Sequence, residues 1–174
     1  MQSYQIQAAG PGDESILSGL GRETFLQSHG HSAPAADIAA YVNDKYNPVT
    51  ISGELNNPEN NYRIIFFNEQ PAGFSKIIYN NPVPQIPFNP VAKLERIYLL
   101  DQFQGLGLGK ALLQYNIGLA IAAKQKGIWL YVWVENRKAF QFYTGMGFRI
   151  IGQYDFRISA THTNPNHQLL LSFE

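Results

Sequence analysis

The chain has 174 residues, of which 45% are hydrophobic, 13% aromatic and only 15% charged, a composition that excludes a disordered polypeptide and is enough to fill one core, so that residues 1–174 read as a single domain. Thirteen Lys and Arg balance thirteen Asp and Glu, which excludes the strong positive field of a duplex-binding protein. There is no cysteine, hence no disulfide, thiol nucleophile or thiolate metal site; without a basic-then-apolar start or an apolar run near the ~18 residues of a membrane span, the expectation is a soluble, cytoplasmic protein.

Residues 3–8 read as a strand. Pro11-Gly12-Asp13-Glu14 then supplies a turn, a cap and an early acid for a helix that shows Ile16, Leu17, Leu20 and Thr24 on one face and ends near Gly30. A second helix is predicted over 32–46, with Pro34 in its first turn and Ile38, Tyr41 and Val42 as its apolar stripe. A shorter turn follows at 51–55. Two β-branched and aromatic runs, 61–67 and 72–79, flank Asn68-Glu69-Gln70-Pro71 and predict an antiparallel hairpin. Residues 80–90 contain four prolines and read as an exposed loop.

The second half carries the stronger signals: a strand over 92–100, a helix over 108–126, a strand over 128–134, a helix over 136–146, and strands over 148–158 and 168–173. In the long helix Leu108, Leu112, Tyr115, Leu119 and Ala122 recur at steps of four and three and predict the face that packs on a sheet. Every residue from 128 to 134 is apolar, the pattern of a strand covered on both sides.

Between the first of these strands and the long helix lies Gln104-Gly105-Leu106-Gly107-Leu108-Gly109-Lys110. Alternating glycines let main-chain N–H groups converge and a ligand approach closely, and the helix start adds the positive end of its dipole, so the segment predicts a phosphate cradle. A P-loop is excluded because Gln104 stands where its first glycine belongs and Ala111 follows Lys110. A dinucleotide fingerprint is excluded because Lys110 occupies a glycine position and Trp129 to Tyr131 stand where an acidic residue is required. A plain glycine turn opening a helix remains as the reading without a ligand.

Gln104, Gly107 and Gly109 match Arg/Gln-x-x-Gly-x-Gly/Ala, and Asn136, Ala139, Tyr143, Gly147 and Phe148 match Asn-x-x-Ala-x-x-x-Tyr-x-x-x-Gly-Phe. With these two motifs the sequence resembles the GNAT superfamily of N-acetyltransferases, and Leu94-Glu95-Arg96-Ile97-Tyr98 with the long first-half helices resembles its PaiA-type spermidine/spermine branch. The resemblance implies a mixed α/β fold whose mostly antiparallel central sheet is flanked by helices, with strands 92–100 and 128–134 parallel and splayed around acetyl-CoA and a bulge in the first of them. It implies that Gln104, Gly105, Leu106, Gly107, Leu108, Gly109 and Lys110 hold the coenzyme A pyrophosphate. Main-chain groups of Ile97, Tyr98 and Leu99 would meet the pantetheine arm, with Asn136 and Lys138 beside it.

The resemblance further implies that Tyr143 protonates the departing thiolate, and it places the amine acceptor against the first-half helices, where Phe25, His29 and Tyr41 stand. Glu95, a carboxylate in an apolar strand, is the candidate base, either directly or through water; a salt bridge would account for it equally. Asn136 and Tyr143 are also explained as a helix cap and a half-buried aromatic. Residues 1–87 carry eight acids and four bases, residues 88–174 five acids and nine bases; this split of −4 and +4 suits a cationic acceptor and an anionic cofactor. The expected activity is acetyl transfer to a primary amine, a polyamine or other small cationic amine, by direct attack in a ternary complex. Alternatives are a protein N-terminus or lysine as acceptor, a non-catalytic coenzyme A-binding regulatory domain, or a nucleotide-binding module. The spacing of His29 with His31, and of His162 with His167 in a polar loop, does not predict a metal site. Trp133, Phe140 and Phe156 read as core or as the face of a homodimer.

Overall fold

The computed structural model describes residues 3–173. Its strands are β1 (Tyr4–Ala8), β2 (Asn60–Phe67), β3 (Gln70–Ile78), β4 (Ala92–Leu99), β5 (Gly127–Trp133), β6 (Arg149–Arg157) and β7 (Thr163–Ser172), and its helices are α1 (Glu14–His29), α2 (Ala35–Lys45), α3 (Pro48–Leu55), α4 (Leu108–Ala122) and α5 (Arg137–Gly145). The strands form one sheet in the order β1-β2-β3-β4-β5-β7-β6. Only β4 and β5 pair in parallel; the other neighbours are antiparallel, as the resemblance implies.

The β2–β3 hairpin turns on Asn68 and Glu69, both with positive φ (47° and 67°), the twist that two-residue hairpin turns require. Leu17, Leu20 and Phe25 of α1 and Ile38 and Val42 of α2 pack with Tyr62, Ile64 and Phe74 of the hairpin. Leu113 and Ala120 of α4 and Tyr143 of α5 pack with Ile128, Leu130 and Val132 of β5 and Leu169 of β7.

Several expectations are corrected. Asp13 makes no side-chain cap on α1; its carboxylate accepts from the Gly10 amide at 2.9 Å instead and closes the preceding turn. The second helix starts at Ala35 with Pro34 as its N-cap, because a proline holds the φ of a cap while lacking an N–H to donate. The short turn at 51–55 extends back to Pro48, capped by Asn47, whose side chain accepts from the Thr50 amide. The proline-rich loop is not wholly exposed: Ile86 packs with Val91, Trp129 and Leu170. β7 begins at Thr163 rather than 168, so His167 lies in a strand opposite Val132 and Gln153.

The buried face of α4 is also rotated from the predicted stripe. Leu108 and Leu112 are buried as expected, but Leu113, Asn116 and Ala120 complete the face, while Tyr115 is 40% exposed and Ala122 lies at the surface. The helix is apolar almost all round, so periodicity alone does not fix its phase. Asn116 is tolerated inside because its amide donates to Ser75 Oγ and the Leu112 carbonyl, both at 2.8 Å. Leu113→Ala is therefore expected to lose about 2–5 kcal/mol in chemical denaturation, whereas Tyr115→Ala costs less than about 1 kcal/mol; the reverse ranking would restore the predicted stripe.

Candidate active site

β4 and β5 pair at two positions only, Ala92 with Ile128 and Lys93 with Trp129. Beyond Lys93 they part, as the resemblance implies, and open a cleft of about 920 Å³. A bulge assists: Arg96 lies opposite Lys76 and Leu94 opposite Ile77, which leaves Glu95 as the extra residue of β4. Ile97, Tyr98 and Leu99 pair with β3 on one side and on the other line the cleft, where no strand meets them.

At one end the cleft is bounded by the glycine segment. Gly105 and Gly107 have φ of 78° and 79°, a left-handed backbone that costs a side-chain-bearing residue about 1–2 kcal/mol, and the space where a Cβ would project from either is open. Gly107 is the N-cap of α4, so unpaired helical N–H groups and the helix dipole act at the same place. Lys138 Nζ donates to Gln104 Oε1 at 2.7 Å and Gln104 Nε2 to Asp101 Oδ1 at 3.0 Å, which ties the start of α5 to this turn. Gln104, Gly105, Gly107, Gly109, Lys110 and Lys138 all line the cleft. Leu106 and Leu108 do not: Leu106 faces solvent at 45% exposure and the Leu108 side chain is in the core, leaving each only its main chain to offer a ligand. These features fit a diphosphate: open N–H groups, a dipole and two ammonium groups.

Midway along the cleft stand Asn136 and Tyr143. Asn136 caps α5, its Oδ1 accepting from the Ala139 amide at 3.2 Å, so the cap reading holds while the residue also lines the cleft. Tyr143 is buried against Phe142 and Phe148; burial pushes its phenol well above the ordinary value, so it stays protonated at any physiological pH.

Glu95 lines the cleft and is also ion-paired. Its carboxylate meets Lys76 Nζ at 2.5 Å and Lys93 Nζ at 3.9 Å; Lys76 in turn meets Glu54 Oε2 at 3.1 Å, and Arg96 meets the same oxygen at 3.3 Å. Arg96 also donates to the Tyr62 hydroxyl at 2.7 Å, and that hydroxyl donates to Glu54. Burial alone would raise the Glu95 carboxyl, but Lys76, with Arg96 and Lys93, outweighs it and holds the group below the usual carboxylate value. The salt-bridge reading of Glu95 is the one these contacts support, and the lowered pKa makes the carboxylate a poor base.

Phe25, His29 and Tyr41 line the opposite end of the cleft. His29 lies across the opening, 6.1 Å from the Tyr98 ring of β4 and 5.5 Å from the Trp133 ring of β5. The α1–α2 turn continues over β7: the Ser32 carbonyl is 2.8 Å from His162 Nε2 and Ser32 Oγ accepts from Asn164 Nδ2 at 2.8 Å. Sequence reasoning missed Lys93, Arg96 and Tyr131, and did not assign Trp133 and Phe156 to the site; their alternation, 129, 131 and 133 on one side of β5, was the available signal. Trp133 is 8% exposed against His29 and His31, Phe156 meets Tyr41, and Phe140 meets His167, so the three rings read from sequence as core or as a homodimer face pack against rings of the same chain. Among the described residues no group of three His, Asp or Glu could hold a metal, and no helix is long and apolar enough to cross a membrane.

The Acetyltransferase (GNAT) family matches residues 24–148. The chain belongs to this family. The match spans both motifs, and the acyltransferase class expected from them is that of the family. Among curated relatives, an N-acetyltransferase encoded in the pepI 3′ region of Lactobacillus delbrueckii subsp. lactis is 27% identical over 137 residues, 79% of each chain. A PaiA N-acetyltransferase from Thermoplasma acidophilum, solved in complex with coenzyme A, shares the fold with a TM-score of 0.78 and 19% identity over 98% of this chain and 99% of that one. A putative streptothricin acetyltransferase from Bacillus anthracis, solved with acetyl coenzyme A, has a TM-score of 0.57 and 25% identity over 68% of this chain and 65% of its own.

Burial, with the charge of His31, pushes His29 down to about 4 from its ordinary 6.5. The unfolded chain then binds a proton between those values that the folded chain does not, so this contribution to stability is complete above pH 6.5 and is lost as pH falls toward 4, by up to about 3 kcal/mol. His29→Phe is expected to flatten the fall of Tm over that window; an NMR titration of His29 with a midpoint near 6.5 would refute the assignment.

Proposed function

We propose that this protein is an N-acetyltransferase that moves an acetyl group from acetyl-CoA to a primary amine of a small molecule, by direct attack in a ternary complex. The observation that carries this reading is one cleft, open where β4 and β5 part, that is lined both by the Gly105–Gly107 turn and by the rings of Phe25, His29 and Tyr41. Acetyl-CoA supplies the activated acetyl thioester.

Gln104 to Lys110 bind the diphosphate through main-chain N–H groups, with Lys110 and Lys138 adding charge. Ile97, Tyr98 and Leu99 offer main-chain groups to the pantetheine arm, the Asn136 amide lies alongside, and an N–H at the Leu99 end of β4 donates to the thioester oxygen as charge builds there. Tyr143, held protonated by burial, donates toward the sulfur. Glu95, ionised and ion-paired, is a weak proton acceptor; it attracts and orients the ammonium form of the acceptor, whose proton leaves through water. An acyl-enzyme on sulfur is excluded because the chain has no cysteine; the Ser28 hydroxyl, which lines the cleft, lies 2.8 Å from the Thr24 carbonyl and 2.6 Å from His29 Nδ1, and direct attack needs neither.

The hydrogen bonds of Ser32 with His162 and Asn164 lay the α1–α2 turn across the acceptor end, which favours a small acceptor over a lysine on a folded protein. A polyamine, the acceptor implied by the resemblance, would rely on Glu54 and Glu95, both of which Lys76 already engages.

Calorimetry should show coenzyme A binding, and coenzyme A should raise Tm where ATP and NAD do not. Tyr143→Phe should lower kcat about 100-fold or more while leaving coenzyme A affinity within about 3-fold. Stabilisation by ATP or NAD alone would support a nucleotide module, and binding of coenzyme A without transfer to any amine would support a regulatory domain.

A further inference from the structure

The acceptor end of the cleft is a curved wall of rings. Phe156 of β6 meets Tyr41 of α2 at 6.2 Å, Tyr41 stacks on Phe25 of α1 at 4.7 Å, Phe25 stacks on His29 at 5.0 Å, and His29 meets Trp133 of β5 at 5.5 Å. The two ends of this arc stand on strands that flank β7, for Trp133 lies opposite Asn166 and Phe156 opposite Asn164. Asn164 and Asn166 line the cleft and form the floor between the rings. The floor carries no charge, and Asn164 is held by His162 and Ser32. Burial keeps the His29 imidazole neutral at physiological pH, so it adds an aromatic face rather than a cation.

The charges lie deeper, and their sum is unsuited to a polycation. Around Glu95 the network holds two carboxylates, Glu54 and Glu95, and three cations, Lys76, Lys93 and Arg96. Glu95 meets Lys76 at 2.5 Å but Lys93 only at 3.9 Å, so one ammonium can displace the weaker partner; the network has no anionic excess for the further ammonium groups of a polyamine, and the other acid that lines the cleft, Asp101, is bonded to Gln104 at the glycine turn. Lys45 and Arg157 also line the cleft, two further cations unsuited to a polycation, while the rings favour a flat apolar body, which gains from ring contact as well as from leaving water.

From this arrangement we infer that the acceptor is an arylalkylamine: one primary amine, directed at Glu95, on a short linker to a single aromatic ring held among Phe25, His29, Tyr41, Trp133 and Phe156. The inference rests on the acetyl-transfer reading above and specifies its substrate class.

The test is a set of kcat/KM values with acetyl-CoA and three acceptors: 2-phenylethylamine, its saturated counterpart 2-cyclohexylethylamine, and spermidine. The expected order places 2-phenylethylamine about 10-fold or more above spermidine, with the saturated ring between them. Phe156→Leu, at a partly exposed position that should fold, is expected to reduce the ratio of phenylethylamine to spermidine about 10-fold through KM, with Tm and coenzyme A affinity retained; Tyr41→Leu serves as the second variant. A spermidine value equal to or above that of 2-phenylethylamine overturns the inference and leaves acetyl transfer standing, as does a ratio that neither variant changes. Calorimetric binding of coenzyme A with no transfer to any of the three overturns the transfer reading and this inference with it.

Discussion

The site depends on one failure of pairing. Parallel strands that start in register would normally continue side by side, but β4 and β5 share two positions and then part. A strand edge stripped of its neighbour carries main-chain groups that must find other partners, since leaving them buried and unpaired costs about 1–3 kcal/mol each. Here those groups face a cleft, and the chain turns an energetic liability into a surface that a thin, hydrogen-bonding ligand can occupy. The same parting sets the start of α4 at the open end, beyond the 3-10 turn Asp101–Phe103, so the glycine cradle and the exposed edge of β4 share one opening.

The bulge at Glu95 and the ion network around it explain why the opening keeps its shape. Lys76 is 6% exposed at its side chain and lies between Glu54 of α3 and Glu95 of β4; Arg96 joins Glu54 from the other direction. Removing one member would leave an uncompensated charge in a poorly solvated place, at a cost of about 3–5 kcal/mol. The network therefore fastens α3 to the central strands where β4 is bent. In the proposed mechanism the Glu95 carboxylate attracts the acceptor, and Lys76 would act on that acceptor only by holding Glu95 in position.

The fold was largely legible because its signals are local. The strand-like runs on either side of Asn68 and Glu69, the apolar run through β5 and the glycines before α4 each report the backbone they adopt. The glycine turn was legible for the same reason: Gln104 to Lys110 is a continuous segment, and the role proposed for it resides in its own main chain. The acceptor end was much less so. Its wall brings together residues as distant as Phe25 and Phe156, and no spacing records that Tyr41 faces β6. Lys76 was missed because a lysine in a strand reads as surface; only Glu54, from another element, makes its burial tolerable. The phase of α4 was missed because a helix apolar on most sides states that it is buried but not which way it turns, and Asn116, the residue that fixes the answer, looks like a polar position until Ser75 is opposite it.

The charge asymmetry of the two halves shows how a global count can mislead about a local field. The positive second half is expressed where it was expected, since Lys110 and Lys138 stand at the cradle. The negative first half is not: Glu23, Asp44, Glu59 and Glu69 are all exposed at the surface, where solvent and salt screen them within about 8–10 Å. Of the acids in that half, Glu54 lines the cleft, and it is shared between Lys76 and Arg96. The lining of the acceptor end therefore consists of rings, two amides, a neutral imidazole and the cations Lys45 and Arg157, and the carboxylates Glu54 and Glu95 already have partners. On the proposed reading, selection rests on the shape and polarisability of the body attached to the amine, with a single charge to aim it.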